Sequence, residues 1–226
     1  MPPRAQQPPQ ITLQRIGRAT LSIPIQGLTP LIVNKFSAKA QAQMLAKQMG
    51  EVVQREHKNP EEMFRGAMHL FADGRSGMPA VAFKGAVVDA ARFFPGQKLT
   101  MESLKRTIFV HGEGGEDGDL LVPIYGEWTG DPATLKPAEP TMRQDYARNE
   151  SGVADIRFRP QYSPWSAVLS VTYPSALYKS DTIVALVDAA GLSGLGEWRP
   201  GSKESKTGSY GTFTVPADAK ITKVTL

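Results

Sequence analysis

The stretch GLGEWRPGSKESKTGSYGTF, residues 194–213, sets five glycines among the cations Arg199, Lys203 and Lys206 and the aromatics Trp198 and Tyr210. Glycines let a backbone come close to a ligand and present its amide donors. Arginine and lysine meet phosphates, and an aromatic ring stacks on a base. The combination points to a loop that holds a nucleic-acid strand. The structural alternative is a long turn shaped by its glycines, with Trp198 in the core. Phosphate chemistry through the usual glycine loops does not fit. A dinucleotide site needs a strand, G-x-G-x-x-G and then a helix. Here the glycines follow an expected helix and lead into a strand, and Arg199 stands at the third glycine position. The pattern G-x-x-x-x-G-K-[ST] does not occur.

A second stretch, GMPAVAFKGAVVDAARFF at 77–94, reads as a turn followed by a helix that opens on Phe83, Lys84 and Gly85. A lysine near a helix N-terminus gains nothing from the dipole, so Lys84 is there for an anionic partner or for solvent. Gly85 inside the helix costs about 1 kcal/mol against alanine. A backbone that something must approach closely would account for that. Arg157 and Arg159 in DIRFRP alternate on one face of an expected strand, which suits a basic sheet surface or an ordinary solvated one.

Catalysis has one candidate. His111 stands near Glu113, Glu116, Asp117 and Asp119 in HGEGGEDGD, where a metal- or histidine-dependent nuclease could be built. Glycines among acids also make a plain solvated turn, and the calcium-loop pattern D-x-[DN]-x-[DN]-G is not matched. His57 is expected in solvent, and His69 inside a helix in a structural role. Neither H-x-x-x-H nor G-x-S-x-G occurs. No cofactor is expected, and the reading is of a protein that is not an enzyme.

The 226 residues carry no cysteine, which excludes disulfides and thiolate chemistry and fits a cytoplasmic setting. No apolar run approaches the roughly 18 residues of a membrane helix. Net charge is +4, unevenly spread. Residues 1–100 and 141–226 have more basic than acidic side chains, while 101–140 are acidic. That polarity suits a polyanion partner and also head-to-tail self-association.

The Pro/Gln-rich start predicts an extended arm over 1–17. From Arg18 the alternation in RATLSIPIQGLTPLIV predicts a strand, with Pro24 marking an edge or a bulge. A helix capped by Ser37 follows, with Met44, Leu45, Met49, Val52 and Val53 on one side. Asn59 and Pro60 open a second helix through NPEEMFRGAMHLF, and the third is AFKGAVVDAARFF. Two short strands, TIFVHGE and LLVPIYG, flank the acidic loop. Residues 129–150 lack a period and predict an exposed excursion. VADIRFRPQY and WSAVLSVTY read as strands. SDTIVALVDAAG reads as a helix capped by Ser180 or Asp181 and stopped by Gly191, and YGTFTV is the last strand. The order predicts one α+β domain over 18–226, a mainly antiparallel sheet of the split β-α-β type backed by helices.

The two marked stretches resemble the RAMP superfamily, repeat-associated RNA-binding proteins that include the backbone subunits of CRISPR effector complexes. MPAVAFKGAVVDAAR matches the family pattern at Pro79, Lys84, Gly85 and Arg92, and the later loop matches at Gly194, Gly196, Arg199, Gly208 and Gly211. GLTPLIV is similar to its first strand and turn. Ala82 stands where the family often has Ser, and Val88 where it often has Arg. The resemblance implies a modified ferredoxin-like (RRM-like) fold with loop insertions that binds single-stranded RNA or DNA, tolerant of sequence, in copies lined up along the strand as a homo-oligomer or filament. Lys84 and Arg92 would contact or support the backbone-binding face, and Lys35 and Gly85 are further expected nucleic-acid-binding residues. The glycine-rich loop with Arg199, Lys203 and Lys206 would cover the strand, and residues 129–150, with Arg143, Tyr146 and Arg148, would project as a thumb. A structural assembly subunit without nucleic acid is the competing class.

Overall fold

The computed structural model describes residues 16–51, 57–96, 99–148, 154–203 and 207–225. The proline-rich arm falls almost wholly outside them, as do Val52, Val53 and Lys206. Strand β1 (Arg18–Gly27) forms because Ala19, Leu21, Ile23 and Ile25 alternate with more polar residues and are all buried. After β2 (Leu31–Ile32) come helices α1 (Ala38–Gln48) and α2 (Pro60–Gly66), then β3 (His69–Leu70) and β4 (Ser76–Pro79). Helix α3 (Ala80–Asp89) runs into one tight turn and is followed by α4 (Met101–Thr107), β5 (Phe109–His111), β6 (Glu113–Gly114) and β7 (Leu120–Pro123). The long hairpin β8 (Thr141–Arg148) and β9 (Ala154–Tyr162) leads to β10 (Ser166–Pro174), α5 (Ser180–Ser193), β11 (Phe213–Thr214) and β12 (Thr222–Thr225).

The main sheet has the order β11-β1-β10-β5, with β12 also on β1, and every pairing is antiparallel. Taken in chain order with α3 and α5, these strands make β-α-β-β-α-β, the fourth strand beside the first and the first beside the third. That is the ferredoxin-like arrangement. Helices α3 and α5 pack together on one face over Leu21, Ile23, Leu169 and Val171. The other face carries Thr20, Ser22, Ser170 and the exposed His111. Two smaller antiparallel sheets, β2-β9-β8 and β3-β4-β7-β6, complete the α+β fold.

Several local expectations are corrected. Strand β1 is not an edge strand. Gly27 donates to Trp165 of the β10 side, so the missing donor of Pro24, three residues away, faces the opposite side. There β12 pairs residues 19–22 and β11 pairs residues 26–27, and Pro24 falls in the gap between them. The apolar residues of α1 do not face a core, since Met44, Leu45 and Met49 are all exposed. His69 and Leu70 are in strand β3, because the helix before them ends at Gly66. Residues 141–148, inside the expected excursion, form β8. Helix α4, capped by the Thr100 hydroxyl that accepts from Ser103 N, and strand β12 had no expectation.

Ser180 does not cap α5, because its hydroxyl shares a 2.8 Å hydrogen bond with Tyr173 instead. Gly191 does not end α5 either. The helix runs on to Gly194, and Gly191 is buried within it because the Phe213 backbone lies where a side chain would be. Ser37 and Asn59 do cap as expected, accepting from Ala40 N at 3.2 Å and Glu61 N at 3.0 Å. Gly191→Ala is predicted to cost about 2–3 kcal/mol by overpacking. Urea denaturation checks this, and a loss under about 0.5 kcal/mol would show that β11 yields freely.

Candidate nucleic-acid interface

The glycine-rich loop is folded onto the body of the protein. Leu195 N donates to Gly211 O at 2.9 Å, Glu197 N to Ile32 O at 2.9 Å, and Gly211 N to Pro30 O at 2.9 Å. Gly196, at φ 71°, lies so close to the Ile32 carbonyl that any β-carbon would overlap it. Trp198, at φ 52°, is the one non-glycine residue with positive φ among the described residues. Such a backbone costs about 1 kcal/mol or more and persists where the surroundings hold it.

What holds Trp198 is a cluster at the base of the β8–β9 hairpin. The Arg143 guanidinium carbon lies 5.3 Å from the Trp198 ring centre and 5.0 Å from that of Tyr210. Arg159 lies 5.5 Å from the Trp198 ring, and the two rings are 6.0 Å apart. Asp145, 3% exposed, accepts from Arg143 Nε at 2.7 Å and from Arg159 Nη1 at 3.5 Å. Glu197 lies 3.5 Å from Arg159 Nη2. Burial works against the Arg143 charge, but Asp145 and Tyr210 together outweigh it and raise the guanidinium pKa. Arg143, Arg159, Trp198 and Tyr210 therefore come together, and they brace the loop against the hairpin. Arg159, 3% exposed, does not form the basic sheet surface expected of it with Arg157.

Beside this clasp a groove of about 430 Å³ runs between α3 and the loop. Gly85 and Asp89 line one wall, Gly196 and Arg199 the other, with Asn34 and His69 at the end. Arg199 is exposed, and its Nη1 donates to Gly196 O at 2.8 Å. Gly85 is exposed, with open space where a β-carbon would stand. Asp89 accepts from Ser193 Oγ at 2.9 Å and pairs with Arg92 Nε at 2.6 Å, which keeps Arg92 by this groove. Lys84 points elsewhere, its Nζ 4.9 Å from the Phe109 ring centre at the β5 edge. Lys35 is bound to Asp117 of the acidic loop. Arg157 is half-buried and 3.4 Å from Asp155, in a second cleft. Lys203 is exposed within the loop, and Arg148 ends β8.

Glu113 and Asp117 of the acidic loop are paired with Arg75 and Lys35. Glu113 lies 3.2 Å from Arg75, and His111 Nε2 lies 2.7 Å from the Thr172 hydroxyl. Among the described residues no His, Asp and Glu side chains gather as a metal site, and no helix is long and apolar enough to cross a membrane. His69 has its pKa lowered, by burial first and by Lys35 second, against the opposing pull of Asp119. Sequence reading missed Asp145, Asn34, Asp89 and Glu197. Only Asp145 had a signal, because it is two residues from Arg143 and so shares its strand face.

No protein-family model matches the chain, and no curated protein matches it in sequence. Among solved structures it is similar to a chain of the Type III-B Cmr-beta complex bound to cognate target RNA, seen by cryo-electron microscopy. Identity is 13% and the TM-score 0.48, over 92% of this chain and 61% of that one. The chain thus spans under two thirds of that neighbour's length.

Asp145→Asn leaves Arg159 buried beside a neutral amide and should cost about 3 kcal/mol. Adding Arg159→Met should recover much of that loss, as measured by denaturant unfolding; simple additivity of the two losses would contradict the clasp. For His69 the folded pKa is depressed, so the unfolded chain binds the proton more readily. Its contribution to stability is complete above about pH 6.5 and is lost as pH falls toward the folded value. His69→Gln should therefore flatten the fall in stability below about pH 6.5; an unchanged slope would show that His69 does not carry it.

Proposed function

We propose that this protein is a non-enzymatic, RAMP-like binder of single-stranded nucleic acid that grips the phosphodiester backbone between α3 and the glycine-rich loop. The observation that carries the reading is Gly85. A glycine inside a helix costs about 1 kcal/mol, and no neighbouring atom among the described residues requires it there, since the space a side chain would fill is open. It faces the groove whose other wall bears the exposed Arg199. A ligand backbone seated against the helix supplies the missing reason. The walls offer phosphates the Arg199 guanidinium, peptide groups and a bare helix turn, while the lining carboxylates Asp89 and Glu197 are paired with Arg92 and Arg159. Phosphate contacts carry no base information, so binding tolerates sequence.

The occupied state of Glu113, Asp117 and His111 supports binding without catalysis. Copies lined up along one strand, in the cytoplasm, complete the proposal. A second reading, an assembly subunit that holds no nucleic acid, is favoured by the exposed Met44, Leu45 and Met49 of α1.

Fluorescence anisotropy with single-stranded RNA and DNA of several sequences separates the two. Affinity should fall steeply between about 50 and 200 mM salt, whereas the assembly subunit would bind no oligonucleotide. Gly85→Ala should raise folding stability by up to about 1 kcal/mol yet weaken binding roughly tenfold. Arg199→Ala should weaken all sequences alike and reduce the salt slope by about 0.7. A Gly85→Ala protein that binds as tightly as the parent would overturn the groove as the site.

A further inference from the structure

A second opening lies between α1, α2 and β9 and encloses about 760 Å³. We propose that it is a second polyanion site, which takes the phosphodiester segment running on from the groove at Gly85. The inference rests on the nucleic-acid reading above and adds to it where the strand goes next.

Continuity is the first observation. Asn34 lines both the groove at Gly85 and this cleft, so the two openings meet at one residue. Charge is the second. The cleft is lined by Lys39, Lys47, Lys58 and Arg157, against the carboxylates of Glu62 and Asp155. Asp155 is shared by Lys58 and Arg157, and its pKa is lowered chiefly by the Lys58 hydrogen bond. Glu62 lies 3.1 Å from Lys39. These ion pairs are part-exposed, and such pairs are worth about 1 kcal/mol or less, so arriving phosphates displace them at little cost. Positive charge remains in excess after every carboxylate in the lining is counted.

The third observation is an apolar surface inside this basic rim. Phe36 is 51% exposed, and Met63 and Phe158 also line the cleft. A ligand that presents negative charge at intervals together with flat apolar groups fits both features. Single-stranded nucleic acid does so, with phosphates at Lys47 and Arg157 and a base on the Phe36 ring. An acidic peptide answers the charge and leaves the ring uncovered.

The test is affinity against length, with oligo-uridylate and oligothymidylate of about 4 to 16 nucleotides. The parent protein should gain affinity with length until both openings are filled. Lys47→Gln combined with Arg157→Gln should leave the shortest oligonucleotides bound as before. Long ones should lose about tenfold or more, and their salt slope should shrink by about 1.4, two phosphates' worth. Phe36→Ala, which removes no charge, should weaken long oligonucleotides while keeping the salt slope. Melting temperatures of all variants confirm that they fold. Long oligonucleotides bound with parental affinity and slope by the double variant would overturn the proposal, and that result includes a cleft that serves an acidic protein segment. Binding of short oligonucleotides without any gain on lengthening would overturn this site and leave the groove at Gly85 standing. No binding at any length would remove the nucleic-acid reading and this site with it.

Discussion

One buried carboxylate sets the position of the loop on which the groove depends. Asp145 takes hydrogen bonds from two guanidiniums at the root of the β8–β9 hairpin, and those guanidiniums lie against Trp198 and Tyr210 of the glycine-rich loop. Apolar packing of similar volume would be about as stable as such a cluster. What ions supply here is register. Arg143 stands opposite Arg159, and Asp145 opposite Arg157. A slip of one residue would turn all of them to the other face and strand their charges. The hairpin therefore has one workable pairing, and the loop has one seat.

The ferredoxin-like order determines what that seat faces. Because the first and third strands are central, α3 and α5 lie side by side, and the loop leaving α5 lines one groove together with α3. A wall of bare helix at Gly85 then meets a wall of loop backbone at Gly196 and Arg199. The opposite sheet face is the other place where a strand could lie. There Thr20 is hydrogen-bonded to Thr172 at 2.6 Å, and Thr172 to His111 at 2.7 Å. The groove presents an exposed cation and room for a backbone.

How far the sequence could be read depended on how local each cause is. Ser37 and Asn59 are caps because an oxygen reaches an amide two or three residues on, and that is visible in the sequence alone. Alternation in β1 and β10 likewise reports a buried face directly. Gly191 and Gly194 look alike in the sequence. They differ because Phe213, far along the chain, packs against the first and leaves the second to turn. The apolar stripe of α1 is real as a pattern, but among the described residues no element covers it. Helix α4 is too short and too polar to show a period, and β12 is exposed throughout. For the site, residue type pointed to Arg143, Arg159, Trp198 and Tyr210 as ligand groups, while tertiary contact turned them on each other. Gly85 was visible for a physical reason: a helix glycine without an internal cause is an anomaly at any stage.

The central claim, that a strand lies between α3 and the glycine-rich loop, is tested most directly by photo-crosslinking. A single-stranded oligonucleotide carrying photoreactive bases would be bound to the protein, irradiated, and the adducts mapped by mass spectrometry. Adducts should fall on α3 around Gly85 and on the loop around Arg199. Adducts confined to the open sheet face at Ser22, Ser170 and His111 would contradict the account.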